Sequence, residues 1–302
     1  MDIKQSVTPM SNTSTPNASS EAESTKLFQR PNPRELETAF QLLRPWQALT
    51  QPIFLGMENV PEDRPLLFVG NHTIYGVLDI PLLFHELYSQ KDIFLRSLGD
   101  HVHFSIPIWR DFLNRYGVVR GTRPNCAALM KAGESILVFP GGGREVAKRK
   151  GEKYQLIWKE RLGFAKMAIA HKCTIVPFSA VGVEDMFDIL LDASKVENSP
   201  VGKWLQKLKL RTDVIMPISK GTGPLMLPGL QRFYFHIGKP ICTEKYQGDA
   251  DNLDHCQELR DLARTAVEDG IQLLLQVQKE DPDRTLKSRI TKFISEFPGK
   301  IR

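Results

Sequence analysis

The chain is 302 residues long, 41% hydrophobic and 25% charged, and its 40 Lys+Arg against 35 Asp+Glu leave a net charge of +5. This composition excludes a wholly disordered or collagen-like chain and provides enough apolar residue for a sizeable core. No window reaches the ~18 consecutive apolar residues of a membrane-spanning helix, and +5 is too small to argue for a nucleic-acid partner.

Residues 1–25 are rich in Ser, Thr, Asn and Pro, with Lys4 against Asp2, Glu21 and Glu23. They hold no apolar block, so they match neither a secretory signal nor an Arg-rich transit peptide. Residues 1–30 are expected to form a disordered polar tail ahead of one domain, 31–302. Leu36, Phe40, Leu43 and Trp46 recur at helical steps and predict a helix over 34–49 that Pro45 bends or ends. Pro65–Gly70 is a short apolar run between breakers and predicts a buried strand. Helices follow at 80–89 and 106–116, a short strand at 117–119, a helix at 124–133 and a second buried strand at 135–139. A helix at 160–172, a strand at 174–178, a strand at 232–237 and helices at 257–278 and 285–297 complete the chain. Strands alternating with helices predict an α/β single domain with a largely parallel central sheet flanked by helices. Cys126, Cys173, Cys242 and Cys256 form no CxxC pair and no metal-like spacing with His. They read as reduced structural thiols, which points to the cytosol or a cytosol-facing surface and to no metal site.

Three segments carry chemistry. The strand ending at Gly70 runs into Asn71-His72 and on to Asp79. A His beyond a strand end of an α/β sheet stands where such folds place ligands, and a neutral imidazole takes a proton from a hydroxyl near pH 7. Asp79 could orient that ring. In one continuous helix the two residues would lie about 10.5 Å apart along the axis, so contact requires a looped segment, which Gly76 permits. The other role open to Asp79 is to cap the helix beginning Ile80-Pro81. The second segment, Phe139 to Glu145, follows a buried strand. Gly141, Gly142 and Gly143 allow close backbone approach to a substrate, and Arg144 offers a planar fork for a carboxylate or phosphate, although a tight turn would need the same glycines. Its spacing matches neither a Walker A loop nor a dinucleotide fingerprint. The third segment puts Arg120 and Arg123 near a strand end, as anion ligands or as solvated surface charge.

In this order the segments resemble the lysophospholipid acyltransferase-like superfamily of glycerolipid acyltransferases. The shared pattern is a strand with Asn-His and a downstream Asp, an arginine segment, a Phe-Pro-x-Gly-x-Arg loop, and a strand containing Pro, here Val176-Pro177-Phe178. Val69-Gly70-Asn71-His72, Phe139–Glu145, Arg149–Trp158, Val181–Asp185 and Phe235–Ile241 bring the chain closer to the diacylglycerol acyltransferase and phytyl ester synthase-like branch. The resemblance covers roughly residues 50–275. It departs in two places. Six residues separate His72 and Asp79 where the superfamily usually has four, and Gly141 replaces a Glu associated with binding a glycerol-phosphate acceptor.

The resemblance implies an O-acyltransferase acting on an acyl-CoA or acyl-ACP thioester and a hydroxyl of a glycerolipid or long-chain alcohol. His72 would be the general base and Asp79 its partner. Asn71, Arg120, Arg123, Gly141, Gly142, Gly143, Arg144 and Glu145 would contact the substrates, with no cofactor beyond the acyl donor. A thioesterase or lipid hydrolase using the same His, a 1-acylglycerol-3-phosphate acyltransferase, and a lipid-binding scaffold on a decayed fold are the competing readings. No Gly-x-Ser-x-Gly elbow supports an α/β-hydrolase. The expected partners are an anionic membrane surface, the lipid acceptor and the acyl donor, with no nucleic acid. The membrane expectation rests on two basic amphipathic stretches. One is Gly202–Arg211, and the other carries Leu286, Ile290, Phe293, Ile294 and Phe297 among Arg284, Lys287, Arg289 and Lys292. Both could equally be surface helices packed on the core. Residues 216–230 could be an apolar lip or a long loop. The chain is expected to sit peripherally on the cytosol-facing membrane.

Overall fold

The computed structural model describes residues 27–193, 195, 199–200, 203, 215–222 and 227–296. Helix α1 (Pro33–Thr50) opens on a capping box, in which Asn32 Oδ1 accepts from Glu35 N–H and Glu35 reaches back to Asn32 N–H. Strands β1 (Ile53–Leu55) and β2 (Leu66–Gly70) follow, then α2 (Ile80–Lys91), β3 (Leu95–Gly99), α3 (Pro107–Arg115), β4 (Val118–Arg120) and α4 (Arg123–Lys131). Next come β5 (Ser135–Val138), the single turn α5 (Gly142–Val146), α6 (Gly163–Ala170), β6 (Thr174–Val181), β7 (Phe187–Leu191) and β8 (Ile218–Gly221). Strand β9 (Tyr234–Ile237) and helices α7 (Leu253–Glu280) and α8 (Leu286–Glu296) end the described chain.

Seven strands form one sheet in the order β1-β9-β6-β2-β5-β3-β4, and β7 and β8 form a separate antiparallel pair. All neighbours in the large sheet run parallel except β6 and β9. The expected largely parallel α/β architecture is therefore the observed one. Strand β2 is buried on both faces, as its unbroken apolar run requires in a parallel sheet. Its period of two sorts Leu67 and Val69 into one core and Leu66 and Phe68 into the other. Helix α7 closes the first core with Cys256, Leu259, Ala263, Val267, Ile271 and Leu274 at three- and four-residue steps. Gly270 lets it approach β6, because a Cβ there would sit 2.4 Å from Ser179 Oγ.

Several elements differ from expectation. Helix α1 covers the expected 34–49 and continues to Thr50, so Pro45 does not end it. Strand β6 extends three residues beyond Phe178. Strand β3, Leu-Arg-Ser-Leu-Gly, carries no apolar run because Arg96 and Ser97 interrupt it. That guanidinium is fully buried, donating to Glu134 and to the carbonyls of Phe28 and Gln29. Arg30 also pairs with Glu134 at 2.6 Å. The expected tail boundary at residue 30 thus falls within a packed segment that begins by Leu27. Residues 1–26, and all of the 202–211 stretch except Lys203, lie outside the described residues. Part of the 216–230 stretch, expected as an apolar lip or a long loop, is strand β8. In α8, Arg289 is the buried side chain, donating to the Leu49 carbonyl, while Ile290 is exposed. Helix α8 is held to the domain by a polar contact at this position, with an apolar residue turned outward.

Candidate active site

Strands β2, β5, β3, β4 and β6 run in one direction, so the segments leaving their C-terminal ends share one edge of the sheet. At the end of β2, Asn71 is 1% exposed and its side-chain amide bonds the β6 backbone twice, to Ala180 O at 2.9 Å and from Ala180 N at 2.8 Å. Asn71 locks the strand end and thereby aims the next residue. His72 stacks against Phe139 from the end of β5, with ring centroids 3.9 Å apart and planes 16° from parallel. The other contact is backbone. Tyr75 and Gly76 adopt φ of 62° and 63°, folding the loop back until a Cβ on Gly76 would lie 2.2 Å from His72 Cε1. The imidazole is held between an aromatic face and a glycine.

The loop that Gly76 permits does not hydrogen-bond His72 to Asp79. Asp79 stands at the N-cap of α2, buried, and its carboxylate accepts the Thr73 hydroxyl at 3.0 Å. His72 Nδ1 is buried with no hydrogen-bond partner among the described residues. Burial is the main force on both groups. It pushes His72 down to about 3, with help from the charges of Lys148 and His103, and pushes Asp79 up to about 6 against the pull of the Thr73 hydroxyl and nearby backbone N–H groups. His72 is therefore neutral, the form that accepts a proton, and Asp79 titrates just below neutrality.

The glycine loop lies beside this ring. Gly142 (φ 52°) donates its N–H to Phe139 O, and Arg161 donates to the Pro140 and Gly141 carbonyls at 2.8 and 2.9 Å. Glu145 is fully buried beneath the loop. Its Oε1 accepts the His72 backbone N–H at 3.2 Å, and its Oε2 has no partner among the described residues. Gly141 exists for this carboxylate, since a Cβ at that position would sit 1.7 Å from Glu145 Oε2. The space a Glu at position 141 would enter is thus taken by a carboxylate from position 145. Arg144 does not face the loop mouth. It is 7% exposed and forms a bidentate pair with Glu152, at 3.0 and 2.5 Å, which occupies the fork expected for a substrate anion.

Buried charge continues inward. Lys148 and Glu184 are each 2% exposed, their Nζ and Oε1 are 3.3 Å apart, and Lys148 also donates to Gln155 O. Glu184 Oε2 accepts Tyr154 N–H, Tyr154 Oη donates to Asp185, and Gln278 reaches Asp185 from α7. Two buried carboxylates, Glu145 and Glu184, act on one ammonium, so ionising both would leave one negative charge in excess. Burial pushes Glu145 up to about 7 despite Lys148, and pushes Glu184 up as well.

Arg120 and Arg123 are exposed at the end of β4, three strands from β2, or about 14 Å at ordinary strand spacing. Arg120 stacks over Phe104 at 5.8 Å. The site thus gathers His72, Asn71, Asp79, Gly141–Gly143 and Glu145, turns Arg144 inward, and keeps Arg120 and Arg123 on a separate rim. Thr73, Phe139, Lys148, Arg161 and Glu184 were missed as site residues. Lys148, Arg161 and Glu184 carry no periodicity or spacing signal that would have found them, whereas Phe139 adjoins the glycine run. No cluster of potential metal ligands occurs among the described residues.

Residues 52–181, which contain all of these groups except Glu184, match the family model described as Acyltransferase. Phytyl ester synthase 1, chloroplastic, of Arabidopsis thaliana is 30% identical over 257 residues, covering 79% of this chain and 36% of that protein. The human DGAT1/2-independent enzyme synthesizing storage lipids is 31% identical over 132 residues, 44% of this chain and 40% of that protein. The crystal structure of the 1-acyl-sn-glycerophosphate (LPA) acyltransferase PlsC from Thermotoga maritima aligns with a TM-score of 0.46 at 17% identity, covering 85% of this chain and 88% of that one. The chain spans little more than a third of the phytyl ester synthase it matches.

Proposed function

We propose, on the match of residues 52–181 to the acyltransferase family model, that this protein is an O-acyltransferase that moves a fatty acyl group from a CoA or ACP thioester to a lipid hydroxyl. The observation that carries the reading is the neutral imidazole of His72 beside the Gly141–Gly143 loop, its Nδ1 without a hydrogen-bond partner among the described residues. His72 takes the proton of the acceptor hydroxyl as its oxygen attacks the thioester carbonyl, and the thiolate of the donor leaves. Asp79, one residue removed through Thr73, is the carboxylate able to stabilise the forming imidazolium once ionised. The Gly142 N–H is already engaged, so the N–H groups of Gly141 and Gly143 are the loop's donors for the developing oxyanion. Arg120 and Arg123 reach the donor's phosphates.

A neutral acceptor, such as diacylglycerol or a long-chain alcohol, is favoured over lysophosphatidate. Arg144 is consumed by Glu152, and the Gly141 position is backed by a carboxylate that would repel a phosphate once ionised. The names of the plant and human relatives agree with a neutral-lipid product. Attachment is proposed as peripheral, on the cytosol-facing surface; no described helix is long and apolar enough to cross a membrane. The test is purified protein with labelled acyl-CoA, or acyl-ACP, and a panel of acceptors. Ester should form with neutral alcohols, and His72→Ala should lower the rate by at least ~10²-fold with an unchanged melting temperature. Free fatty acid as the sole product, with or without acceptor, would make the protein a thioesterase instead.

A further inference from the structure

We propose that helix α3 and the turn preceding it form a docking surface for an anionic lipid bilayer, set on the rim of the candidate active site. The inference rests on the acyltransferase reading, and it names the face from which that reading's lipid acceptor arrives.

The chain leaves β3 at the same edge where β2 and β5 end, passes through Asp100–Ser105, and forms α3. One buried ring, Phe104, pins this segment to the domain. Beyond it, no side chain of α3 is buried. Val102 is 71% exposed, Ile106 59%, Ile108 86%, Trp109 40% and Phe112 51%. Ile108, Trp109 and Phe112 fall on one face at helical spacing, with Trp109 and Phe112 stacked at 5.4 Å and Phe112 against Tyr116 at 5.0 Å. A helix this strongly two-faced ordinarily turns its apolar stripe into a core; here the stripe faces outward.

Charge selects the occupant. Arg110 pairs with Asp111 and Arg115 with Glu35 of α1, which leaves Arg120 and Arg123, exposed at the end of β4, as a positive rim beside the apolar patch. A second copy of the chain docked about a twofold axis would set that rim against itself, whereas an anionic bilayer attracts it. Nine residues span about 13.5 Å, far short of a bilayer, so the helix lies in the interface with Trp109 at headgroup depth. Continuity with the site comes from the sheet. Trp109 Nε1 donates to His103 at 3.4 Å, in the turn that leaves β3 at the edge where β2 delivers His72. A bilayer seated on α3 therefore lies along the sheet edge that carries His72.

The experiment is vesicle flotation of the full chain with phosphatidylcholine alone and with added phosphatidylserine, at low and high salt. Wild type is expected to float with the anionic vesicles at low salt. The double variant Ile108→Ser with Phe112→Ser should lose at least about tenfold of the bound fraction. Both residues are exposed, so its circular dichroism should match wild type, and it should still acylate a short-chain, water-soluble alcohol. Leu273→Ser, on an exposed position of α7, which packs on β6 and β9 away from the β3–β4 end of the sheet, should float like wild type. The proposal is overturned if the double variant floats as well as wild type, if neither floats, or if light scattering finds a dimer that the double substitution dissociates. If wild type floats as expected but forms no ester with any acceptor, the docking surface stands and the acyltransferase reading falls.

Discussion

At the level of single residues, the site sets opposed titrations against each other. His72 is depressed chiefly by burial, so the folded state binds its proton less readily than the unfolded chain; its contribution to stability is complete above the ordinary His value and is lost as pH falls toward about 3. Glu145 and Asp79 are raised chiefly by burial to about 7 and about 6. Their contributions are complete below the ordinary carboxylate range and are lost as pH rises through those values. Glu145→Gln keeps an oxygen for the His72 N–H and removes the carboxylate that ionises, leaving Lys148 matched to Glu184 alone. Its stability relative to wild type should improve between pH 5 and pH 8 by an amount of order 1–3 kcal/mol, read from chemical denaturation at the two pH values. A difference independent of pH would mean that Glu145 does not gain its charge in this window. Catalysis should respond separately. If ionised Asp79 supports the imidazolium, the acyl-transfer rate rises through about pH 6, and Asp79→Asn removes that limb of the profile with little change in melting temperature.

At the level of elements, the loop between β2 and α2 positions His72 by contact rather than by a hydrogen bond. Gly76→Ala places a methyl within 2.2 Å of the ring and burdens an L-residue with φ 63°. Displacing a reacting group by about 1 Å costs on the order of 10²-fold in rate, so activity should fall by that much. Gly151→Ala supplies the control, because Gly151 also has a positive φ, 89°, but nothing lies within 4 Å of its Cβ position. It should cost about 1 kcal/mol of stability and leave the rate intact. Equal loss of activity in both would assign the effect to backbone strain. This loop was partly legible in the sequence: Asn-His after an apolar run located the strand end, and Gly76 signalled a bend. The direction of the bend was not legible, because it depends on Asn71 clamping to β6, 109 residues away. Arg144 misled for the same reason, since its partner Glu152 is chosen by how the chain folds back and not by spacing. The strands marked by apolar runs, β2, β5 and β6, were readable, whereas β3 was hidden by a buried arginine and β1 by its length of three residues.

At the level of the whole molecule, that arginine links parts of the chain that no local pattern connects. Arg96 in the sheet, Glu134 ahead of β5 and the backbone of Phe28 and Gln29 meet in one buried cluster, to which Arg30 adds a second cation. The two guanidinium groups overcome burial and hold the Glu134 carboxyl below its ordinary range. Exchanging such a buried pair for apolar residues is often neutral, but removing one partner leaves a charge without compensation, at a cost of about 3–5 kcal/mol. Arg30 remains beside Glu134 when Arg96 is removed, which moderates the loss, while the carbonyls of Phe28 and Gln29 lose their donors outright. Arg96→Ala should therefore lower the denaturation free energy by about 3 kcal/mol and expose the 27–30 segment to proteolysis before global unfolding. Arg96→Met with Glu134→Leu should recover most of the stability without restoring the protection of 27–30. Recovery of both would show that packing alone secures the segment, and recovery of neither would show that the charges themselves hold β3 in register beside β5 and β4.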